Sequence, residues 1–210
     1  MTPLLVLGGT PPSRELIVAL LDSHAPVVAA DAGALVLERH ALRPDVVIGD
    51  FDNAGVDVDD LRSRGVEVVV DRDQDTNDLE KAMGWIARKG YQRLAAIGTG
   101  GGMFDHAINN LSVLARWGRA LSVQVLDDAS IAYVTHEAIA IDVSIGERIS
   151  LIPLPHAVMT TEGLAWPLRR SELFIGGREG ASNESVARRV TIEVHSGCVM
   201  VFHYPVSGTL

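Results

Sequence analysis

The sequence predicts an α/β protein with a parallel sheet over residues 1–128, followed by an antiparallel β-sandwich over residues 129–210. Three observations lead to this fold class. Short apolar runs alternate with helical patterns in the first part of the chain. Acidic or glycine-rich clusters directly follow three of those apolar runs. After Asp128 the alternation stops, and short strand-like runs separated by turn residues take its place.

The first part of the chain alternates strands with helices. Ser13 is the expected cap of the first helix, and Gly90 and Gly118 are expected to end two later ones. Alternation of this kind implies right-handed crossovers and a Rossmann-like parallel sheet covered by helices on both faces. In chain order the pattern predicts strand Leu4–Leu7, the helix after Ser13, strand Val27–Ala30, helix Leu35–His40, strand Val46–Ile48, helix Asp59–Arg64, strand Val66–Val70, a helix beginning at Asp75 or Thr76, strand Leu94–Ile97, a helix carrying Ile108, Leu111 and Leu114, and strand Val123–Leu126.

The second part of the chain shows no convincing helical pattern. Its apolar runs are short and evenly spaced, and glycines and prolines lie between them. Short strands with turn signals at regular intervals are typical of an antiparallel sandwich. The predicted strands are Ile131–Val134, Ala138–Val143, Arg148–Pro153, Val190–Val194 and Val199–His203.

The composition limits the partners that the protein can have. The chain has 210 residues, of which 47% are hydrophobic, and its formal net charge is −9. Because no run of lysines and arginines is present, we expect neither nucleic acid nor an anionic membrane as a partner. Cys198 is the only cysteine, so no intrachain disulfide can form, and a reducing, cytoplasmic location is expected.

Acidic side chains gather where two of the predicted strands end. Asp50 and Asp52 follow one strand, and Asp78 closes an acidic segment that follows the next. Because the carboxyl ends of parallel strands meet at one edge of a sheet, these carboxylates would repel each other unless a cation lay between them. Mg²⁺ with a nucleotide's phosphates is the simplest such cation. The alternative is structural: an Asx-type turn at Asp50, and a carboxylate that favours the helix N-terminus at Asp78.

A glycine-rich turn follows the strand that ends at Ile97. Glycines such as Gly101 and Gly102 let backbone amides approach phosphate oxygens closely, although the pattern is not that of a P-loop. Asp105 could cap the next helix or contact a nucleotide. Gln74 could donate a hydrogen bond to a phosphate or a base, and Asp31 is either a turn residue or a partner of a substrate hydroxyl. Trp166 is either a packing residue or a stacking surface for a cation. Ser182 and Asn183 are by themselves only turn residues.

Taken together and in order, these motifs resemble those of the thiamine pyrophosphokinase family. The similarity covers nearly the whole chain and keeps the order and spacing of the family motifs. The matching segments are Ala30-Asp31-Ala32-Gly33-Ala34, Gly49-Asp50-Phe51-Asp52-Asn53, Gln74 through Asp78-Leu79, Gly101 to His106, Gly163-Leu164-Ala165-Trp166, and Ser182-Asn183.

The resemblance implies an enzyme that transfers the terminal diphosphate of ATP to the hydroxyl of thiamine, giving thiamine diphosphate and AMP. It also implies a homodimer with active sites at the subunit interface. By the same resemblance, Mg²⁺ would be held by Asp50, Asp52 and Asp78, the nucleotide would be contacted by Gln74 and Asp105, Asp31 would lie near the reacting groups, and thiamine would meet Trp166, Ser182 and Asn183.

The chain departs from the family pattern at several positions. Met103 stands where the family usually has Arg, so a cation expected to contact the phosphates is missing, and Arg72 is a conceivable substitute. Ala32 and Asn53 replace Gly and Ser, and Asn77 stands where the family commonly has Thr. Two other functions therefore stay open: a diphosphokinase for another hydroxymethyl substrate such as a pterin, and a non-catalytic nucleotide-binding protein.

Overall fold

A computed structural model describes residues 1–52 and 55–206 of the chain. They form two compact units. The first comprises Met1–Val113 and Val125–Asp127, and the second comprises Leu114–Gln124 and the chain from Asp128 onward. Asn53, one of the departures noted above, lies outside the described residues. In the part of the chain that is described, no helix is both long enough and apolar enough to span a membrane.

The first unit alternates strands and helices, as predicted. Its last helix and last strand, α5 and β6, also contribute residues to the second unit. The elements are β1 Leu4–Val6, α1 Arg14–Ser23, β2 Val27–Ala30, α2 Gly33–Arg39, β3 Val46–Gly49, α3 Val58–Ser63, β4 Glu67–Val70, α4 Asp78–Arg88, β5 Arg93–Ile97, α5 Phe104–Trp117 and β6 Ser122–Leu126.

Five parallel strands form the sheet of the first unit, in the order β5-β1-β2-β3-β4. The β1 residues Leu4, Leu5 and Val6 are fully buried, as expected of a strand that is covered on both faces. The chain adds β2, β3 and β4 on one side of β1 and then places β5 on the other side. The winding therefore reverses between β1 and β5, and ligands of such sheets bind in the crevice at the carboxyl ends of the two strands.

Two helix starts show how capping decides where a helix begins. Ser13 caps α1 as predicted, because its Oγ accepts a hydrogen bond from the helix backbone at 3.3 Å. The predicted start of α4 at Asp75 or Thr76 was wrong. Asn77 is the N-cap, its Oδ1 accepts a backbone N–H bond at 2.9 Å, and Asp78 is the first helical residue. Asparagine caps a helix as well as aspartate does, so the later cap ends the acidic loop.

The other helix boundaries differ by a few residues from the prediction. α2 begins at Gly33 rather than Leu35 and ends at Arg39. Asp105 is not the cap of α5, because the helix begins one residue earlier, at Phe104. The Asp105 Oδ1 accepts a hydrogen bond from the N–H of the neighbouring His106 at 3.0 Å. The C-terminal signal of α4 was read correctly, since Gly90 follows the helix in the left-handed conformation with φ 87°.

The second unit is built from antiparallel strands. Two of them are much longer than the sequence predicted, and they are the centre of this unit. The strands are β7 Ile131–Thr135, β8 Ile139–Asp142, β9 Arg148–Glu162, β10 Ser171–Phe174, β11 Gly180–Glu184 and β12 Arg189–Tyr204.

The long strands β9 and β12 pair with each other and each takes two further partners. β9 pairs with β11 near its start and with β10 near its end, whereas β12 pairs first with β8 and then with β7. The predicted break between Val194 and Val199 was wrong, because the ladder between β9 and β12 continues through two register shifts there. Bulges let one strand change direction and serve two layers. The predicted fold class, a parallel α/β part followed by an antiparallel β part, is confirmed.

A buried carboxylate joins several segments of the second unit. Glu147 is 4% exposed, and its carboxylate accepts hydrogen bonds from the backbone of Ser144 and Val206 at 2.9 and 3.1 Å. His203 Nε2 lies 2.7 Å from the same carboxylate. Burial raises the pKa of Glu147, but the bonds from His203 and the two amides lower it by more, so the net shift is downward.

We predict that Glu147→Gln lowers the free energy of unfolding by about 1–3 kcal/mol near neutral pH, because bonds to a buried charged group are lost. Since the folded protein lowers this pKa, the contribution is present above the ordinary value of 4.5 and is lost as the pH falls through the folded value. The difference from the unmodified chain should therefore shrink in acid. Urea denaturation at several pH values measures it, with the exposed Glu162→Gln as control. An equal loss in both variants would contradict this role for Glu147.

Candidate functional site

The crevice between β1 and β5 is formed by two glycine turns that touch each other. Gly9 N–H donates to the Gly98 carbonyl at 3.0 Å, and Thr10 N–H donates to the Gly100 carbonyl at 2.8 Å. A side chain at Gly9 would collide with both of those carbonyls. A cavity of about 410 Å³ lies beside these turns, and the loops after β1, β2 and β5 line it together with the first turns of α4 and α5. The reversal of winding thus coincides with an open cavity.

The glycine loop after β5 lines this cavity. Gly101 and Gly102 both have left-handed backbones, with φ of 76° and 64°, and a Cβ on Gly101 would collide with the Thr10 hydroxyl. Met103 also lines the cavity and is 61% exposed. The loop therefore presents backbone and an uncharged side chain at the position where the family pattern has an arginine.

Asp31 lies where β2 ends and faces the same cavity. Its backbone is strained for a residue with a side chain, since its φ is 41°. Its Oδ1 is buried and has no hydrogen-bond partner among the residues described. Burial, and then the charges of Asp78 and Asp50, raise the pKa of Asp31 to about 6. A strained backbone and an unpaired buried oxygen are costly for folding, and such features cluster at binding sites.

Asp50 follows β3 and forms the Asx-type turn that was the structural alternative for this residue. Its Oδ1 accepts the Asp52 backbone N–H at 3.3 Å, and Oδ2 accepts a hydrogen bond from Lys81 Nζ at 3.2 Å. The Asp52 amide, and then Lys81, lower the pKa of Asp50. Asp52 itself is exposed. The turn therefore positions Asp50 without using both of its carboxylate oxygens.

Lys81 is the residue at this site that the sequence reasoning missed. It lies in the first turns of α4, and its side chain is only 2% exposed. Its Nζ lies 3.2 Å from Asp50 Oδ2 and 3.7 Å from Asp78 Oδ1. The i,i+3 spacing of Asp78 and Lys81 on a predicted helix was the signal that could have found it.

Asp78 is held at the crevice by the capping of α4. Asn77, the cap, donates from Nδ2 to Asn110 Oδ1 at 3.0 Å, and Asn110 donates to the Thr99 carbonyl at 2.8 Å. This chain of bonds ties the start of α4 to α5 and to the glycine loop. Burial raises the pKa of Asp78, and Lys81, the second cause, opposes that shift without cancelling it. Asn77 thus has a structural role that the sequence left undefined.

The remaining candidates from the first unit lie at the rim. Gln74 is exposed, and a hydrogen bond from its side chain is one of the weaker causes that lower the pKa of Asp50. Asp105 is exposed at the start of α5 and does not line the cavity. His106 lines the cavity, and its charge is among the influences on the pKa of Asp78.

The carboxylates fit a metal ion that takes most of its ligands from a nucleotide. Among residues 1–52 and 55–206, no group of three or more His, Cys, Asp or Glu side chains could hold a metal by itself. Asp50 and Asp78, however, already share one cation, the Lys81 ammonium. Mg²⁺ is commonly bound by one or two carboxylates, together with waters and phosphate oxygens. The side chains present therefore suit Mg²⁺ bound with phosphates rather than alone.

The predicted thiamine-binding residues lie in the second unit and are tied to each other. Trp166 is 65% exposed, and Asn183 is buried beside it. Asn183 Oδ1 accepts the Trp166 N–H at 3.1 Å, and its Nδ2 donates to the Trp166 carbonyl at 2.8 Å. Ser182 is exposed, with φ of 60°, and its N–H donates to Ser150 Oγ at 3.0 Å. The Asn183 amide therefore holds the loop that exposes the indole.

Two family models match the chain. The catalytic domain of thiamin pyrophosphokinase matches residues 17–126, and the vitamin B1 binding domain of thiamin pyrophosphokinase matches residues 136–199.

Relatives of known name match over most of the chain. Thiamine pyrophosphokinase 1 of Arabidopsis thaliana is 36% identical over 186 residues, which cover 81% of this chain and 69% of the relative. Thiamine pyrophosphokinase of Bacillus subtilis is 23% identical and covers 94% of this chain and 95% of its own.

Solved structures agree in fold. The Bacillus subtilis thiamine pyrophosphokinase structure has a TM-score of 0.80 at 21% identity and covers 99% of this chain and 100% of its own. The yeast thiamin pyrophosphokinase structure has a TM-score of 0.83 at 17% identity and covers 99% of this chain and 87% of its own. From the family models and the relatives together, this chain belongs to the thiamine pyrophosphokinase family.

Proposed function

We propose that this chain transfers the terminal diphosphate of ATP to the hydroxyl of thiamine and releases AMP. Family membership supports this activity. The structural observation that supports it most lies at the carboxyl edge of the sheet: Asp50 and Asp78 flank one buried lysine, and their charges raise the pKa of Asp31. Carboxylates that share too little positive charge attract a further cation, and Mg²⁺ arrives with ATP.

In the proposed reaction, the thiamine hydroxyl oxygen forms a bond to the β-phosphorus of ATP. The bond from that phosphorus to the oxygen of the α-phosphate breaks, AMP leaves, and the hydroxyl proton passes to a base. Such a displacement needs in-line positioning and charge neutralisation rather than a covalent intermediate on the protein. Mg²⁺, when bound, neutralises the phosphate charge.

The side chains of the first unit have separate roles in this proposal. Asp50 and Asp78, which flank Lys81, would hold Mg²⁺ together with its nucleotide, and the exposed Asp52 is the third ligand that the family resemblance implies. The loop with Gly101 and Gly102 lets backbone approach the phosphates, and Gln74 and Asp105 contact the nucleotide from the rim. Asp31 accepts a hydrogen bond from the thiamine hydroxyl. Its unpaired Oδ1 and its pKa of about 6 support this role, because they leave it with an unused acceptor near neutral pH.

The exposed Trp166 supports the assignment of thiamine as the acceptor. A thiazolium ring is a cation, and an indole face attracts cations by about 0.5–2 kcal/mol, depending on desolvation. Asn183 holds the indole loop, and Ser182 lies next to it in sequence. We propose that the chain forms a homodimer in which Trp166 of one subunit stacks on thiamine at the site of the other.

The comparisons do not support the two other functions that the sequence left open. A pterin diphosphokinase would not need a cation-stacking aromatic residue, and the matched family models are those of thiamin pyrophosphokinase. A cytoplasmic location stays a proposal. It rests on Cys198, whose thiol is buried and unpaired in the described structure.

An assay of purified protein tests the activity directly. Protein incubated with ATP, Mg²⁺ and thiamine should form AMP and thiamine diphosphate in equal amounts, which chromatography resolves. EDTA should stop the reaction, and excess Mg²⁺ should restore it. Production of AMP no faster than in a control without thiamine would refute the proposed function. Nucleotide binding without turnover would instead favour the non-catalytic alternative.

We predict that Asp50→Asn and Asp78→Asn each lower kcat by at least about a hundredfold, because each removes a charge that holds the metal. Circular dichroism should show an intact fold in both variants. Asp22→Asn, on the exposed side of α1, is the matched control and should keep full activity. Normal rates in both site variants would place the metal elsewhere.

We predict that Trp166→Ala raises the KM for thiamine roughly 2- to 30-fold, since the cation loses its aromatic partner. The KM for ATP should stay unchanged. Trp166→Phe is the matched control: it keeps an aromatic face and should recover part of the thiamine affinity. Initial rates at varied thiamine and at varied ATP measure both constants. If the alanine variant bound thiamine normally, the indole would have no part in recognition.

A further inference from the structure

Lys81 is a buried cation that the roles proposed so far do not use. Lysines are almost never fully buried unless they are paired. Here the two partners are Asp50 and Asp78, the carboxylates that would otherwise be available to a metal ion. The ammonium therefore occupies the place between them.

The surroundings of Lys81 give it no other partner of comparable strength. Among the described residues, its polar contacts are with these two carboxylates. The ammonium is one positive charge close to Asp50 and Asp78, and Asp31 and Asp73 also feel its charge. Lys81 is 5% exposed, so its ammonium has little contact with water. A ligand that supplies other oxygens could displace it.

We infer that Lys81 is a positioning residue that makes metal binding depend on the nucleotide. Without nucleotide, its ammonium holds Asp50 and Asp78 in place and repels a divalent cation. When a metal–nucleotide complex enters, phosphate oxygens become partners for the ammonium, and the two carboxylates are released to the metal. This inference rests on the proposed function. It adds that Asp50 and Asp78 exchange the Lys81 ammonium for the metal only when the nucleotide is bound.

The inference also accounts for the uncharged residue in the glycine loop. Met103 cannot contribute a positive charge to bound phosphates. Lys81 can, once the metal has taken its two carboxylate partners, because its ammonium then needs other oxygen partners. Arg72, the possible substitute named in the sequence analysis, has an exposed side chain.

The test is a Mn²⁺ titration of nucleotide-free protein at about pH 8, where the carboxylates stay ionised. Free Mn²⁺ is followed by its electron paramagnetic resonance signal. Lys81→Met, which keeps the length of the side chain and removes the charge, should bind Mn²⁺ at least about tenfold more tightly than the unmodified chain. Lys81→Arg should keep the weak binding, because it keeps the charge. Lys89→Met, an exposed lysine just beyond the same helix, is the control and should change nothing.

The second measurement adds α,β-methylene ATP, which cannot be cleaved at the bond that the reaction breaks. In the unmodified chain this analogue should raise the Mn²⁺ affinity strongly, and in Lys81→Met it should raise it less, because part of that coupling comes from moving the ammonium. A residue that only supports the fold would weaken Mn²⁺ binding when replaced, or leave it unchanged. Either of those results for Lys81→Met would overturn the inference.

The unmodified chain provides a test of its own if Lys81→Met does not fold. Equal Mn²⁺ affinity with and without the analogue would overturn the inference without any variant. The titrations do not depend on turnover. If the analogue raised the Mn²⁺ affinity but no AMP formed in the assay, the inference would stand and the proposed function would be refuted. If AMP formed but the analogue left the Mn²⁺ affinity unchanged, the proposed function would stand and the inference would be refuted.

Discussion

The crowding of negative charge at one edge of a parallel sheet is the constraint on which the site depends. Asp31 and Asp50 follow neighbouring strands, and Asp78 starts the helix that follows the next strand. The fold brings these carboxylates together because every parallel strand ends at the same edge. Lys81 offsets part of their repulsion, yet burial still leaves the pKa of Asp31 and of Asp78 raised. The folded chain thus keeps a charge imbalance that a metal–nucleotide complex would relieve.

Helix capping and turn hydrogen bonds hold the carboxylates at these positions. The Asn77 cap fixes where α4 begins, and through Asn110 it ties that start to the glycine loop. In the turn at Asp50, Oδ1 accepts the backbone N–H of Asp52, and Oδ2 accepts a hydrogen bond from the Lys81 ammonium. The structural and functional readings of these residues are therefore not rivals. A carboxylate can position ligands reliably only when part of its hydrogen bonding is fixed by the backbone.

In the second unit, too, hydrogen bonds to the backbone hold a candidate binding residue in place. A buried amide, Asn183, makes two hydrogen bonds to the backbone of Trp166 and leaves the indole exposed. Because Asn183 fixes the backbone of Trp166, the exposed indole is available to a ligand, which supports the binding role proposed for it. The long strands β9 and β12 pair at the centre of this unit, and Glu147 contacts His203 near the end of β12.

The sequence by itself determined the alternation of strands and helices, the change to antiparallel strands and the family motifs, because periodicity, glycine turns and short acidic segments are local signals. It placed Asp31, Asp50 and Asp78 at strand or helix ends correctly. Only the tertiary structure revealed Lys81 between the carboxylates, the Asn77 cap, and the continuity of β12 through the predicted break. The cap and the continuous strand depend on a choice between neighbouring caps or on bulges, which local patterns do not decide. The spacing of Asp78 and Lys81 is a local signal, but the contact of Lys81 with Asp50 joins residues distant in sequence and appears only in the fold.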